Sequence, residues 1–125
     1  MTYSHETPCF EMPREARGLI EASLLTLLNA APSYGYKLLD NLSNFGFDHE
    51  SIDISGIYRN LRSMEGKQLI ASQWATSDQG PSKRMYEITA LGQNKLKHWV
   101  THLKNRRQQM ALIIQSYETQ TKENQ

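Results

Sequence analysis

The sequence predicts a mostly α-helical protein with one small β-hairpin and a long C-terminal helix. Four stretches carry apolar residues at the three- and four-residue spacing of a helix, and the last of them covers residues 90–118. Two shorter segments, 69–76 and 83–89, have the composition of strands and enclose a turn-rich loop. With 125 residues, the chain is long enough for one domain with a modest core but not for two.

The first predicted helix follows an N-terminal arm, residues 1–14, and begins near Glu15. Apolar residues occupy too much of its circumference for a helix on the surface of a monomer. We therefore expect a central helix that is covered on several sides or shared with a partner. Pro32 ends it, because proline disfavours the helical conformation in the residue before it.

The second predicted helix covers residues 34–44 and is capped by Ser33. Gly46 is well placed to adopt the left-handed conformation that ends many helices. Phe45 and Phe47 flank this glycine, and we expect them to clamp the turn into the core.

The third predicted helix follows a polar loop and presents cations on one side. Asp53 and Ser55 mark its start, since both are good N-cap residues. An arginine can bond a guanine edge or a phosphate through two hydrogen bonds, and a tyrosine hydroxyl can reach phosphate oxygens. The two short helices are therefore a candidate helix-turn-helix. Helical spacing places Ile57, Leu61 and Met64 on the inner face and Tyr58, Arg59 and Arg62 on or beside the outer face.

The two predicted strands form a hairpin beside these helices, which makes residues 15–89 a winged helix-turn-helix domain. Trp74 is expected to be exposed on the first strand, and residues 77–82 form the loop at the tip. Lys83 and Arg84 stand at the base of the second arm, where they are suited to phosphate or minor-groove contact.

The last predicted helix, residues 90–118, is capped by Thr89 and followed by a polar tail at residues 119–125. At about 1.5 Å per residue it is on the order of 40 Å long, which exceeds the rest of so small a domain. Its apolar stripe needs a partner, and a second copy of the chain is the simplest one, so we predict a dimerisation helix. The stripe comprises Leu96, Trp99, Val100, Leu103, Met110, Ile113 or Ile114, and Tyr117.

The net charge of +1 conceals an uneven distribution of charge along the chain. Residues 1–58 carry three basic and eight acidic side chains, whereas residues 59–107 carry ten basic and three acidic ones. A basic central block indicates a surface that faces a polyanion, and a merely solubilising charged face is the alternative.

Several function classes find no support in the sequence. It has no Gly-rich phosphate loop, nucleophile elbow or acid pair, so we predict a non-enzyme without a cofactor. His98 and His102 have a spacing that can hold a metal, but no nearby carboxylate completes a site, and no metal is expected. Cys9 is the only cysteine, which excludes an internal disulfide and favours a cytoplasmic location. No apolar run approaches the roughly 18 to 20 residues that span a bilayer, so no membrane partner is expected.

Three motifs together resemble the PadR family of bacterial transcriptional regulators. Their order and spacing make the resemblance specific over residues 18–103, and the single C-terminal helix is similar to the short branch of the family. Residues 45–48 and 74–77 also resemble regulators that respond to polyhydroxybutyrate. The motifs are Tyr34-Gly35-Tyr36-Lys37-Leu38, Ser55-Gly56-Ile57-Tyr58-Arg59-Asn60-Leu61-Arg62, and Gly80-Pro81-Ser82-Lys83-Arg84-Met85-Tyr86-Glu87-Ile88-Thr89 with Gly92.

The resemblance implies a winged-helix homodimer that binds a two-fold DNA operator, usually as a repressor released by a small molecule. The sequence departs from the family near the end of the third helix, where Gln68 stands at a position usually taken by glycine and Gly66 lies two positions earlier. Either the helix ends sooner, or Gln68 adopts a left-handed conformation at some cost.

The expected DNA contacts lie on the two short helices and the wing. A different group of residues is a candidate wall of a pocket for a small hydrophobic or aromatic effector, and plain interface core is the alternative for that group. The DNA-contacting set is Tyr36, Lys37, Ser55, Gly56, Tyr58, Arg59, Arg62, Lys83 and Arg84, and the effector set is Trp99, Leu103, Leu24 and Leu28.

A second function class remains open beside the DNA-binding regulator. The chain could be a ligand-sensing or protein-interaction module that works through its last helix and keeps the winged helix as a scaffold. The near-neutral net charge allows this alternative, whereas the basic block around the third helix and the wing argues against it.

Overall fold

The computed structural model describes residues 14–48, 52–75 and 83–123. Within these ranges, four α-helices and three strands follow one another, with a short 3₁₀-helix after the second α-helix. The helices are α1 (Arg14–Ala30), α2 (Gly35–Asn41), α3 (Ile54–Gly66) and α4 (Ala90–Glu123), the 3₁₀-helix is Leu42–Phe45, and the strands are β1 (Ser33–Tyr34), β2 (Ile70–Ala75) and β3 (Lys83–Ile88). The predicted class, mostly α with a small hairpin and a long last helix, is confirmed.

Helix α1 is the central helix of the domain, as predicted. Leu24 and Leu25 are fully buried, and α1 contacts all three other α-helices as well as β3. Two hydroxyl side chains on its sides, Ser23 and Thr26, donate hydrogen bonds to the carbonyl oxygens of the preceding turn, which removes their need for an external partner.

The sheet has three strands in the order β1-β3-β2, so the predicted hairpin gains a short third strand. Ser33 pairs with Tyr86 and Tyr34 pairs with Met85, both in antiparallel register. Ser33 therefore does not cap α2, and its hydroxyl is buried without a hydrogen-bond partner in the described part of the chain. By pairing with the open edge of β3, β1 forms backbone hydrogen bonds. These outweigh the local preference of Ser33 to cap α2.

The turn after α2 is tighter than predicted. Helix α2 ends at Asn41, and the following 3₁₀-helix is closed by Gly46, whose φ of 84° lies in the left-handed region expected of it. Phe47 packs against the core as predicted, but Phe45 is 46% exposed and does not clamp the turn. In the 3₁₀ geometry the side chain of Phe45 lies on the solvent side, which its position next to the glycine did not reveal.

The end of α3 combines both arrangements that the sequence left open. The helix ends at Gly66, and Gln68 has a φ of 64°, the only positive φ of a non-glycine residue among those the structure describes. The backbone N–H of Gln68 donates to the carbonyl of Glu65, and that of Leu69 donates to Met64, which satisfies the end of the helix. A non-glycine residue in this conformation costs on the order of 1 to 2 kcal/mol.

Helix α4 is anchored at its start and projects from the domain at its end. Gly92 N–H donates to the hydroxyl of Thr89, the predicted cap, at 3.0 Å. The same hydroxyl lies 2.7 Å from the carbonyl oxygen of Gln68, which fastens the start of α4 to the end of α3. Leu96 is its last buried side chain, and the helix continues to Glu123, beyond the predicted end near Glu118.

Candidate nucleic-acid interface

The position of α3 is fixed by three apolar side chains on its inner face. Ile57, Leu61 and Met64 are at most 1% exposed and belong to the main core cluster, as the helical spacing predicted. At the start of the helix, the Asp53 side chain accepts a hydrogen bond from Gly56 N–H at 2.8 Å, and Ser55 beside it is exposed. The direction in which the outer face points is thus set by burial and by capping together.

Two arginines stand on the solvent side of this helix. Arg59 and Arg62 are both exposed, and neither forms a hydrogen bond or ion pair with another residue that the structure describes. Because no carboxylate in the described ranges pairs with them, their guanidinium groups are available to an external anion.

Tyr58 occupies a more buried position than the two arginines. Its ring packs over Gly35 at the start of α2, where a Cβ atom would lie only 2.7 Å from the ring carbons. Glycine thus permits the close approach of α2 to α3. The neighbouring Tyr36 and Lys37 on α2 are exposed on the same side as Tyr58.

A hydrogen-bonded network joins the end of α3 to the hairpin. Ser72 on β2 donates to the Glu65 carboxylate at 2.7 Å and accepts from Arg84 Nε at 2.8 Å. The guanidinium of Arg84 also lies 5.4 Å from the centre of the Trp74 ring, its cross-strand partner. These contacts hold Arg84 in place and couple the hairpin to α3.

A second cation–aromatic pair lies on the other side of the hairpin. Lys83 Nζ is 5.5 Å from the centre of the Tyr34 ring, so β1 and β3 present a cation and an aromatic face together. Such exposed pairs contribute about 0.5 to 1 kcal/mol each. Trp74 is 63% exposed, in agreement with the sequence prediction.

These elements enclose an open groove with a volume of about 740 Å³, here called the aromatic groove. It contains six of the nine residues predicted to contact DNA, whereas Ser55, Gly56 and Arg59 lie on α3 outside its lining. Its lining residues are Tyr34, Tyr36, Lys37, Asp40, Tyr58, Arg62, Glu65, Trp74, Lys83, Arg84 and Tyr86.

Sequence reasoning did not assign the groove residues Tyr34, Glu65 and Tyr86, or the bridging Ser72, to the site. The alternation along β3 was a usable signal for Tyr86, because that residue falls on the inner face of the strand. Glu65 and Ser72 carried no such signal, because they come into contact only when β2 packs beside the end of α3.

The residues predicted to form an effector pocket lie in two different environments. Leu24 and Leu28 are buried within the core of the monomer, whereas Trp99 and Leu103 on α4 are half-buried. The Trp99 indole N–H donates to the Glu21 carboxylate at 2.8 Å. Only Trp99 and Leu103 of this set therefore have surface to offer to a ligand or a partner.

Among the described residues, no group of three or more histidine, cysteine, aspartate or glutamate side chains is arranged to hold a metal. His98 Nδ1 lies 3.1 Å from the Asn94 carbonyl oxygen on its own helix, and the His102 ring meets the edge of Trp99 with centroids 5.9 Å apart. Over the same described ranges, no helix is long and apolar enough to cross a membrane.

The chain is similar to known proteins at the level of both sequence family and fold. The model of the Transcriptional regulator PadR-like family matches residues 24–98, which is more than half of the chain. An uncharacterized protein from Lysinibacillus sphaericus is 26% identical over 84 residues, which cover 67% of this chain and 77% of that protein.

Two solved structures illustrate the likeness of fold. A PadR-like transcriptional regulator from Bacillus cereus has a TM-score of 0.72 at 24% identity and covers 82% of this chain and 98% of its own. A PadR family transcriptional regulator from Eggerthella lenta has a TM-score of 0.68 at 24% identity, with 80% of this chain and 86% of its own covered. At this identity the structural comparisons establish the winged-helix fold alone.

Proposed function

Because the chain belongs to the PadR-like family of transcriptional regulators, we propose that it is a repressor that acts as a homodimer on a two-fold DNA operator. The observation that carries this proposal is the outer face of α3, where Arg59 and Arg62 are exposed and form no contact with a described carboxylate. Because its buried inner face holds α3 in one orientation, the outer face can enter the major groove with little loss of conformational entropy. Its place of action would be the cytoplasm, where the bacterial chromosome lies.

The roles of the remaining residues follow from their positions. Arg59 and Arg62, together with Ser55 and Tyr58 near the helix start, would enter the major groove, where arginine recognises guanine through two hydrogen bonds. Lys83 and Arg84 would place the hairpin on the DNA backbone, and Tyr36 with Lys37 would contact phosphates beside it.

Helix α4 is the proposed site of dimerisation. At about 1.5 Å per residue, its 34 residues extend over about 50 Å, and its distal half leaves large apolar side chains open to solvent. A second copy would cover them and set the two recognition helices about 34 Å apart, one turn of DNA. The exposed fractions are 49% for Met110, 55% for Leu112, 69% for Ile113, 56% for Ile114 and 66% for Tyr117.

A small hydrophobic or aromatic effector is part of this proposal. Trp99 and Leu103 are half-buried on the segment of α4 that leaves the domain, so a ligand between two such helices would alter how the domains are held relative to each other. The hydrogen bond from Trp99 to Glu21 on α1 would carry that change into the DNA-binding domain.

The experiment that tests the function is fluorescence anisotropy of the purified protein with its own upstream DNA, titrated against salt. We expect saturable binding that survives competition by random DNA and that weakens steeply as salt rises, because counterions are released from phosphates. Binding to upstream DNA that is no tighter than to random DNA would contradict an operator-specific regulator. Salt-independent binding of a protein or ligand partner, without DNA affinity, would favour the interaction-module alternative.

Ser72→Ala and Lys83→Ala are expected to weaken DNA binding in distinguishable ways. Ser72→Ala removes the hydroxyl that bridges Glu65 and Arg84, and should cost about 1 kcal/mol of DNA affinity through a less well-positioned wing. It removes no charge, so the slope of log affinity against log salt should stay the same.

Lys83→Ala removes a phosphate contact, should weaken binding to all DNA sequences about alike, and should reduce the slope by about one.

Anisotropy titrations of both variants at four or more salt concentrations measure this difference. Thermal unfolding of each variant serves as the control for a general loss of stability. An unchanged slope for Lys83→Ala would show that the lysine contacts no phosphate, and a reduced slope for Ser72→Ala would remove its role as a positioning residue.

A further inference from the structure

Glu21 on α1 carries a mostly buried carboxylate that contacts two other parts of the domain. Its side chain is 13% exposed, and its two oxygens have different partners. Oε2 accepts a hydrogen bond from the Trp99 indole N–H on α4 at 2.8 Å, and Oε1 lies 3.4 Å from the Lys67 ammonium at the end of α3. Withdrawing a carboxylate from water is costly unless donors surround it, so these two contacts determine whether Glu21 can stay where it is.

The Trp99 side chain holds α4 against α1 in two opposite directions. A Cβ atom at Gly18 would lie 2.7 Å from the indole ring, so the ring lies directly on the backbone of α1 and α4 cannot move closer. The hydrogen bond to Glu21 opposes the outward movement, because it would leave a mostly buried carboxylate without its closest donor. Within the described residues, Trp99 is the last side chain of α4 that packs against the core cluster. It therefore marks the point at which α4 leaves the domain.

The other oxygen of Glu21 connects this point to the end of α3. Lys67 is the C-cap residue of α3, and its backbone N–H donates to the carbonyl of Ser63. Its side chain is 58% exposed, so the ion pair adds little to stability, as is usual for exposed pairs. The contact instead orients the carboxylate, because one oxygen is held toward α3 while the other accepts from Trp99. One side chain thus links the helix proposed to read DNA with the helix proposed to form the dimer.

A small change in the angle of α4 at Trp99 would be amplified along the helix. At about 1.5 Å per residue, the part of α4 from Trp99 to Glu123 extends about 36 Å beyond this point. A tilt of about 5° would move its far end by about 3 Å, which is close to the rise of one base pair, about 3.4 Å. The exposed apolar side chains proposed to meet a second copy lie on this part of α4, so the tilt would change the relative position of the two domains.

We propose that Glu21 is a positioning residue for DNA recognition, which fixes the direction of α4 relative to α3 and thereby the half-site spacing that the homodimer accepts. The inference rests on the proposed function, because half-sites have a meaning only for a dimer that binds DNA. Glu21 is not among the residues proposed to contact DNA, so its substitution leaves the proposed base and phosphate contacts in place. Its loss should therefore change the choice of spacing more than the affinity for the best site.

The first test measures the distance between two spin labels by pulsed electron paramagnetic resonance, in the full chain without DNA. The labels are attached at Ser63→Cys on α3 and Gln115→Cys on α4, in a chain that also carries Cys9→Ser to remove the native cysteine. Both labelled positions are exposed. Labelled chains are mixed with a large excess of unlabelled chains, so that the signal reports the distance within one protomer.

Three substitutions are compared in this labelled background. We expect Glu21→Ala to broaden the distance distribution at least about twofold, because α4 loses the contact that opposes its outward movement. Glu21→Gln keeps an oxygen that can accept from Trp99 and should retain the parental width. Glu87→Ala, which removes an exposed carboxylate on β3, is the matched control and should also retain it.

The second test compares binding to two DNAs by fluorescence anisotropy. One is the upstream DNA with the site that footprinting defines, and the other carries one additional base pair at the centre of that site. We expect the parent to bind the longer site at least about tenfold more weakly, and Glu21→Ala to lose no more than about threefold, since a less constrained α4 lets the two domains adjust. A protein that was merely less stable would lose affinity for both DNAs alike.

Equal distance distributions for Glu21→Ala and Glu87→Ala would overturn the proposal, and so would an equal loss on the longer site for Glu21→Ala and the parent. If Glu21→Ala does not fold, Trp99→Phe replaces it, because it keeps an aromatic ring beside Gly18 and removes the indole N–H. The spin-label distances do not involve DNA. A broadened distribution in a protein that binds no operator would remove the proposed function and leave Glu21 as the residue that directs α4. An unchanged distribution in a protein that binds its operator would remove only the role of Glu21.

Discussion

Gly92→Ala is expected to destabilise the protein by about 3 kcal/mol, the largest effect on stability that we expect from a single methyl group. Gly92 lies in the first turn of α4, and a Cβ atom there would overlap the carbonyl oxygen of Leu69 and approach Ile88 Cγ1 to 2.8 Å. Although alanine is intrinsically the better helix former by up to about 1 kcal/mol, the steric conflict is with backbone and should prevail.

The conflict cannot be relieved by a side-chain rotation. The Leu69 carbonyl oxygen accepts the backbone N–H of Thr89 at 3.0 Å, and the Thr89 hydroxyl lies 2.9 Å from it. Moving that carbonyl would break the junction where α3, β2 and α4 meet. For a domain of this size, 3 kcal/mol corresponds to a fall in Tm of about 10 °C, which thermal unfolding followed by circular dichroism would measure.

Gly66→Ala is the matched control for this prediction. A Cβ atom at Gly66 would meet nothing within 4 Å, and its φ is not positive, so alanine should be neutral or slightly stabilising. Equal Tm values for Gly92→Ala and the parent would show that α4 can shift away from β2 at little cost, and would contradict the tight junction described above.

Arg59→Ala and Arg62→Ala are expected to weaken operator binding by about 1 to 3 kcal/mol each, a factor of roughly 5 to 150 in Kd. Both side chains are exposed on α3 and unpaired within the described residues, so their removal leaves no buried charge behind and should not change Tm. The loss would therefore report a contact with DNA rather than damage to the fold.

Anisotropy with operator DNA and with random DNA separates the reading of bases from simple attraction to phosphate. An arginine that reads a base should lose affinity mainly for the operator, whereas an arginine on the backbone loses the same factor on both DNAs. Lys122→Ala, which removes one positive charge near the far end of α4, controls for the change in net charge. An equal loss on operator and random DNA for both arginine variants would rule out their role in base recognition.

The local elements of the fold could be predicted because their causes lie within a few residues of one another. The spacing of Ile57, Leu61 and Met64 determined which face of α3 is buried, and the same spacing left Arg59 and Arg62 outside. The cap at Asp53, the left-handed Gly46 and the cap at Thr89 are likewise properties of single turns.

Predictions that required knowledge of the packing were less successful. Phe45 is beside a correctly placed Gly46, yet its ring is exposed, and Ser33 became part of a strand instead of a cap. Leu24 and Leu28, which the sequence allowed to face a ligand, are buried in the core of the monomer. In each case the environment of the side chain is determined by the packing of residues far away in the sequence.

The sequence by itself therefore determined the family, the order of the four α-helices and of the two hairpin strands, and the outer face of α3. Periodicity, caps and turn residues depend on interactions between residues close together in the chain, so the sequence is enough to identify them. Only the tertiary structure decided that Ser72 joins Glu65 to Arg84, that Trp99 bonds to Glu21, and that the buried Tyr86 lines a groove of aromatic rings. These arrangements depend on distances between residues far apart in sequence, which are fixed only when the helices and the sheet pack around a common core.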